Sequence, residues 1–388
     1  MRSDQRIPLS VPFFGGNEWK YVKECLDTGW VSSAGPFVTR FEQEVAAYVD
    51  APHAVALVNG TAALHIALLV AGVRPDDEVL VADLTFVAPV NTIRYCQAHP
   101  VFMDMHAGTW QLDVDKVARF LAEECEMRGG ECVNRRTGRR VRAIVPVHLF
   151  GLVADVDRLV EVARRHAVRV VEDASEGLGV RYRGRHVGTF GDVGTFSFNG
   201  NKIMTTGGGG ILVTHDAETA RHARYLTNQA KDDALEGIHH TVGYNYRLTN
   251  LHAALGIAQL EQMPDFVAKK RAIARAYREA LRDVAGVTSM PEVPGADATY
   301  WLYTILLAAG TTVERRKQMI AALGERGVET RPIFHPMHAL RPYRECQAYR
   351  IEHAPDLYAR GISLPSSVGL GAEDQRRCIA IVKETLGA

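Results

Sequence analysis

Cysteine is scarce, charge is balanced and long apolar runs are missing, and each shortage excludes a class of protein. Six cysteines (Cys25, Cys96, Cys125, Cys132, Cys346, Cys378) in 388 residues are too few for a disulfide scaffold. None forms a CxxC pair, so zinc-ribbon and thioredoxin-like chemistry fall away. The 15 histidines include no HExxH or HxxEH pattern, and no metal site is expected. No apolar stretch approaches the roughly 18 residues of a membrane span. The polar, basic start from Met1 to Ser10 has no apolar signal segment. Lys+Arg and Asp+Glu both number 45. Zero net charge argues against a non-specific nucleic-acid binder and provides no repulsion against self-association. The expectation is a reduced, cytoplasmic, globular protein without a membrane or nucleic-acid partner.

What is present is an alternation. Short apolar runs at Ala54–Val58, Glu78–Ala82, Pro100–Asp104, Ala143–Leu149, Val168–Glu172, Val193–Phe198 and Ile211–Thr214 read as strands. Helical patterns such as Thr61–Ala71, Asp113–Glu126 and Asp155–His166 separate them. That order predicts βαβ units and a mainly parallel, seven-stranded sheet flanked by helices. After Asn250 the pattern changes. Leu251 to Ala285 is almost continuous helix former, interrupted at Pro264, and suits a connector. A strand-like Tyr300–Leu307, a helix at Val313–Gly324 and a closing helix at Glu373–Leu386 follow. The reading is a large α/β domain over residues 1–250 and a smaller α+β domain over 251–388. Arg128 to Arg142 interrupts the rhythm with six arginines and one glutamate. It reads either as a solvated hairpin or as a phosphate contact.

Three motifs carry chemistry. Asn59-Gly60-Thr61-Ala62 follows a strand and opens a helix, whose first N–H groups suit a phosphate. An ordinary capped βα turn would look the same. Val170-Val171-Glu172-Asp173 ends a strand in a carboxylate at the edge where open α/β sheets bind ligands. A loop cap would also place an acid there. Ser197-Phe198-Asn199-Gly200-Asn201-Lys202 puts one lysine between apolar residues and the run Gly207–Gly210. A partly desolvated lysine can serve as a nucleophile, and a surface lysine beside a turn is the plainer reading. Their order decides more than any one of them. A phosphate turn, a strand-end aspartate and then a lysine are the parts of a pyridoxal phosphate site. Phe86, after another strand, is placed to stack on a ring.

Carried by these residues, the chain resembles the DegT/StrS sugar aminotransferases, a group of the aspartate-aminotransferase fold (fold type I). The likeness runs from Ile7-Pro8-Leu9-Ser10 to the Arg331–His338 loop. SFNGNKIMTTGGGG, with Gly243-Tyr244-Asn245-Tyr246-Arg247 and the Asp27–Ser33 stretch, is similar to the branch acting on UDP-linked 4-keto-6-deoxy-N-acetylhexosamines. The resemblance implies Lys202 as the Schiff-base lysine, Asp173 as partner of the pyridinium nitrogen, and Phe86 as the stacking ring. It implies Gly60, Thr61, Ala62 and Ser197 around the phosphate. Glu176 stands where the family usually has His or Gln. Asn245 is expected to serve the cofactor of a neighbouring subunit in a homodimer. Trp30, Arg247, Arg331 and His338 are expected near the substrate.

The implied reaction moves an amino group from L-glutamate, through pyridoxamine phosphate, to C4 of a nucleotide-linked 4-keto sugar. The expected acceptor is UDP-2-acetamido-2,6-dideoxy-hexos-4-ulose, and the product a 4-amino sugar for surface glycans. Two alternatives are a pyridoxamine-dependent sugar dehydratase of the same fold and a non-catalytic cofactor-binding regulator. Lys202 argues against the first, and Lys202 with Asp173 against the second. A Rossmann oxidoreductase lacks support, since no GxGxxG follows the first strand.

Overall fold

A computed structural model describes residues 6–233 and 235–387, so Met1–Gln5 of the polar start lie outside the described residues. Its main sheet is built from β1 (His53–Leu57), β2 (Glu78–Ala82), β3 (His99–Met103), β4 (Val141–Val145), β5 (Arg169–Asp173), β6 (Val193–Ser197), β7 (Gly210–Thr214) and β8 (Ala348–Tyr349). Their spatial order is β1-β7-β6-β5-β4-β2-β3-β8. Every neighbouring pair from β6 to β8 across the sheet is parallel, and β7 runs antiparallel to both β1 and β6. The seven apolar runs are therefore strands within a few residues of their expected bounds. The eighth strand is two residues from the C-terminal part, added beside β3 with Ala348 opposite Phe102.

The strands are apolar without alternation because the sheet is covered on both faces. β2 and β7 are buried at every residue. Helix α1 (Gly60–Val70) packs across β5, β6 and β7 and is buried from Ala62 through Leu68. It is apolar nearly all round, as a helix enclosed by sheet and other helices must be.

The Arg128–Arg142 stretch forms the return of an antiparallel hairpin, Cys125–Arg128 against Glu131–Asn134. Some of its arginines find acids, while Arg142 Nε donates to the Ala71 carbonyl at 2.8 Å. Arg140 pairs with Asp77 and Glu131, each at 2.7 Å, and Arg128 pairs with Glu126. The long helical stretch divides into α2 (Asn250–Leu260) and α3 (Met263–Leu281), with Pro264 in the first turn of α3, where a missing N–H costs nothing. Beyond it, Thr288–Ser289, Thr304–Leu306, Gly361–Ser363 and Arg331–Pro332 lie side by side as a small antiparallel sheet. We propose residue 250 as the boundary between the two parts. Contacts cross it, since Ile7 bridges Val328 and β8 joins the main sheet.

No helix among the described residues is long and apolar enough to cross a membrane. Asp104, Glu352 and His353 are the one cluster with metal-like spacing among the described residues. A lysine occupies the cation's place there: Lys116 Nζ sits 2.7 Å from both Asp104 Oδ2 and Glu352 Oε2.

Candidate active site

In a parallel sheet the carboxyl ends of the strands open on one edge, and loops leaving them converge. Here the segments after β1, β2, β5 and β6, with the glycine run before β7, surround a cavity of about 300 Å³. It is lined by Gly60, Thr61, Phe86, Asp173, Glu176, Ser197 and Lys202, residues separated by up to 142 positions in the chain.

The wall formed by α1 offers the N–H groups of a helix start. Asn59 is its N-cap, and Asn59 Oδ1 accepts the Ala62 N–H at 2.7 Å. That bond leaves Gly60 and Thr61 facing the cavity. Ala62, expected among the phosphate contacts, is buried with its N–H engaged by Asn59 and does not line the cavity. Gly60 has no side chain for a steric reason: a Cβ there would lie 2.7 Å from Ser197 Cβ. The close approach brings the Ser197 hydroxyl to the helix start.

Asp173 closes β5 and is 4% exposed. Its Oδ1 accepts the Ser175 N–H at 3.0 Å. Burial pushes its pKa above the usual carboxylate range, against the hydrogen bonds of Ser175 and the charges of Lys202 and His148. A buried carboxylate so poorly neutralised is a site for a cationic N–H. Its neighbour Glu172 supports the strand end from behind, taking the N–H groups of Gly188, Phe190 and Gly191 and His148 Nε2 at 2.9 Å.

Lys202 follows β6 with its side chain 14% exposed, and Nζ lies 3.5 Å from Glu176 Oε1. Glu176 is held from the other side, where Oε2 accepts the Phe150 N–H at 2.7 Å. Burial raises the Glu176 pKa, and the charge of Lys202 opposes it. Phe86 presents an exposed face to the cavity, with its ring 5.9 Å from Phe334, which in turn stacks on Phe150. Phe150, Phe334 and Trp301 belong to the cavity wall and escaped the sequence reading. A sequence gives one cue for Phe150, its place before Gly151 in a turn, where it adopts φ +60°.

The expected substrate neighbours are dispersed. Arg331 lines the cavity and is largely exposed. His338 is outside the lining and bound to Asp83. Trp30 is half exposed away from the cavity, its carbonyl accepting Asn250 Nδ2 at 2.8 Å. Arg247 Nη1 is taken by Glu42 Oε1 at 2.7 Å. Asn245 is exposed, and its backbone bridges Asn228. Neither Asn245 nor Arg247 reaches the cavity of its own chain.

The model of the DegT/DnrJ/EryC1/StrS aminotransferase family matches residues 14–383. The chain belongs to this family. Among its relatives, GDP-perosamine synthase of Caulobacter vibrioides is 39% identical over 98% of this chain and 98% of its own length. Two solved family structures superpose closely. DesI, determined in the presence of its TDP-sugar product, has a TM-score of 0.87 at 31% identity, over 99% of this chain and 93% of that one. The pyridoxamine phosphate form of sugar aminotransferase Spr1654 from Streptococcus pneumoniae has a TM-score of 0.89 at 25% identity, over 98% of each chain. This family member is a fold type I, pyridoxal phosphate-dependent nucleotide-sugar aminotransferase. The cavity residues fit that cofactor: a helix N-terminus for a phosphate, a buried acid for a ring N–H, an aromatic face, and a lysine.

Proposed function

We propose that this aminotransferase carries an amino group from L-glutamate to C4 of a GDP-linked 4-keto-6-deoxyhexose. The observation that carries the chemistry is the convergence of Lys202 and buried Asp173 on one cavity under the N-terminus of α1. The choice of GDP rests on the GDP-perosamine synthase relative. It replaces the UDP-acetamido acceptor suggested by the motif resemblance, which that relative's name does not support.

When bound, pyridoxal phosphate supplies an electron sink for breaking a C–H bond beside nitrogen. The chain's own residues do the rest. Gly60 and Thr61 N–H groups and the Ser197 hydroxyl receive the phosphate. Asp173 holds the ring N–H, and its carboxylate keeps that nitrogen charged. Phe86 covers the ring face. Lys202 would hold the cofactor through its Nζ, and its free amine would move a proton at the reacting carbon on its side of the cavity. Glu176 steadies the lysine head. Arg331 and the loop to His338 close the sugar side. A homodimer in which Asn245 serves the neighbouring cavity completes the reading, and it accounts for an exposed Asn245 that its own cavity does not use.

The deciding assay offers glutamate with a panel of GDP-, UDP- and TDP-linked 4-keto sugars. Fastest formation of 2-oxoglutarate with the GDP-linked 4-keto-6-deoxyhexose is expected. Preferential turnover of the UDP-2-acetamido sugar would overturn the GDP assignment. Sedimentation at several concentrations tests the dimer, and a stable monomer with full activity would remove it.

A further inference from the structure

The Lys202 ammonium lies over the indole of Trp301, 4.1 Å from the ring centroid. The ring is 3% exposed, and its Nε1 donates to the Asn201 carbonyl at 2.8 Å. Asn201 is the residue before Lys202. The same carbonyl accepts the Ser10 hydroxyl at 2.9 Å. Two donors, 191 and 100 positions away in the chain, thus pin the peptide that leads into the lysine.

Trp301 is itself fixed. Lys270 Nζ, buried on α3, donates to the Trp301 carbonyl and to the Ser366 carbonyl. Ser366 ties on to the segment before α1, its N–H donating to the Leu9 carbonyl at 2.7 Å. The backbone reaches Trp301 through Tyr300 at φ +52°. It passes so close to Gly151, itself at φ +76°, that a Cβ there would lie 2.8 Å from the Trp301 nitrogen. The indole cannot swing away without disturbing both segments.

An aromatic face carries negative potential and attracts an ammonium more than a neutral amine, more so when water is excluded. The other charged groups facing the Lys202 head are Glu176, Asp173 and, across the cavity, Arg331. Glu176 touches it at 3.5 Å, a distance that leaves room for a second partner. The indole supplies that partner from a different direction.

We propose that Trp301 is a positioning residue for Lys202, its ring face holding the lysine's protonated head and its N–H setting the peptide before it. The role matters when the lysine is free of the cofactor, because a held ammonium is a proton donor already in place. The proposal rests on Lys202 being the cofactor lysine for its functional meaning, while its test does not depend on that assignment.

The test uses the full chain stripped of cofactor and an amine-selective acylating reagent. Labelling of the Lys202 peptide is followed against time at one pH by mass spectrometry. In Trp301→Leu, the labelling rate is expected to rise about two- to tenfold, the scale of a lost desolvated cation–π contact. Trp301→Phe retains a ring face and should restore most of the parent rate, while amide exchange at Lys202 quickens because the Asn201 carbonyl has lost a donor. An unchanged rate in a folded Trp301→Leu protein would overturn the proposal. Should that variant not fold, Trp301→Phe decides alone, and labelling about tenfold faster than the parent's would count against the ring. Cofactor binding by Lys202→Ala separately tests the lysine's assignment, so failure of one reading is distinguishable from failure of the other.

Discussion

Asp83 holds His338 twice: one carboxylate oxygen accepts the His338 backbone N–H at 2.8 Å, and the other meets ring Nδ1 at 2.7 Å. The Asp83 side chain is fully buried just beyond β2, and its carbonyl accepts the Met337 N–H at 2.8 Å. A loop from the C-terminal part is thereby clamped to the rim of the cavity.

Asp83→Asn removes the charge from this clamp while keeping its shape. Hydrogen bonds to a charged group contribute about 1.5–3 kcal/mol. We expect KM for the sugar nucleotide to rise about tenfold or more, with cofactor affinity unchanged. Steady-state kinetics beside a cofactor titration checks this. A loss confined to cofactor affinity would show that the clamp serves another purpose.

Lys202→Ala should lower turnover by at least the roughly 10²–10⁴-fold typical of a lost acid–base group. Pyridoxamine phosphate, which needs no bond to the lysine, should still bind. Full turnover by this variant would remove Lys202 from the reaction.

Asp173→Asn separates stability from function. The carboxylate is buried with its pKa raised by burial, so the neutral isostere relieves a desolvation cost. Without cofactor the variant should melt above the parent at neutral pH. Addition of pyridoxal phosphate should raise its melting temperature less than the parent's. Equal gains from the cofactor in both proteins would contradict the pairing of Asp173 with the ring nitrogen.

Glu176→Gln can still accept the Phe150 N–H but carries no charge toward Lys202. Burial raises the Glu176 pKa, so acidification protonates it early and weakens its hold on the lysine. The acid limb of kcat/KM against pH should therefore move to lower pH in the variant. An identical profile would leave Glu176 a purely structural acceptor.

Acid stability should report on His186. The ring is buried as the neutral form, with Nε2 accepting the Gly179 N–H at 2.8 Å, and burial pushes its pKa down to about 4. Between its unfolded value near 6.5 and that folded value the unfolded chain binds the extra proton. Stability is thus present above pH 6.5 and is lost as pH falls toward 4, by about 3 kcal/mol over the window. His186→Asn should flatten this part of a stability–pH curve from denaturant titration, and an unchanged slope would refute the assignment.

The residues legible in advance share one property: their chemistry is set by neighbours in the chain. Asn59-Gly60 is a cap and a turn, Asp173 a strand end, and Lys202 stands between an apolar strand and glycines. Local rules of turns and sheet edges place such residues at one rim. Trp301, Phe150, Phe334 and Asp83 were not legible as site residues, because each acquires its place through a partner that is remote or lies across the cavity. Asp83 and His338 are 255 positions apart, and Trp301 meets Asn201 across 100. Arg247 is expected close to the site shared with a neighbouring subunit; within its own chain it is engaged by a carboxylate 205 positions away, a pairing that no local pattern announces.

The sequence by itself determined the layered α/β architecture, since unbroken apolar runs alternating with helices have few ways to be buried other than a doubly covered parallel sheet. It also determined which side chains sit at strand ends. Only the tertiary structure decided which of them meet, which arginines are left for a ligand, that a two-residue strand completes the sheet, and that an indole faces the cavity lysine. Those outcomes depend on long-range packing and on competition between partners for the same buried charge, and no local pattern in a chain records that competition.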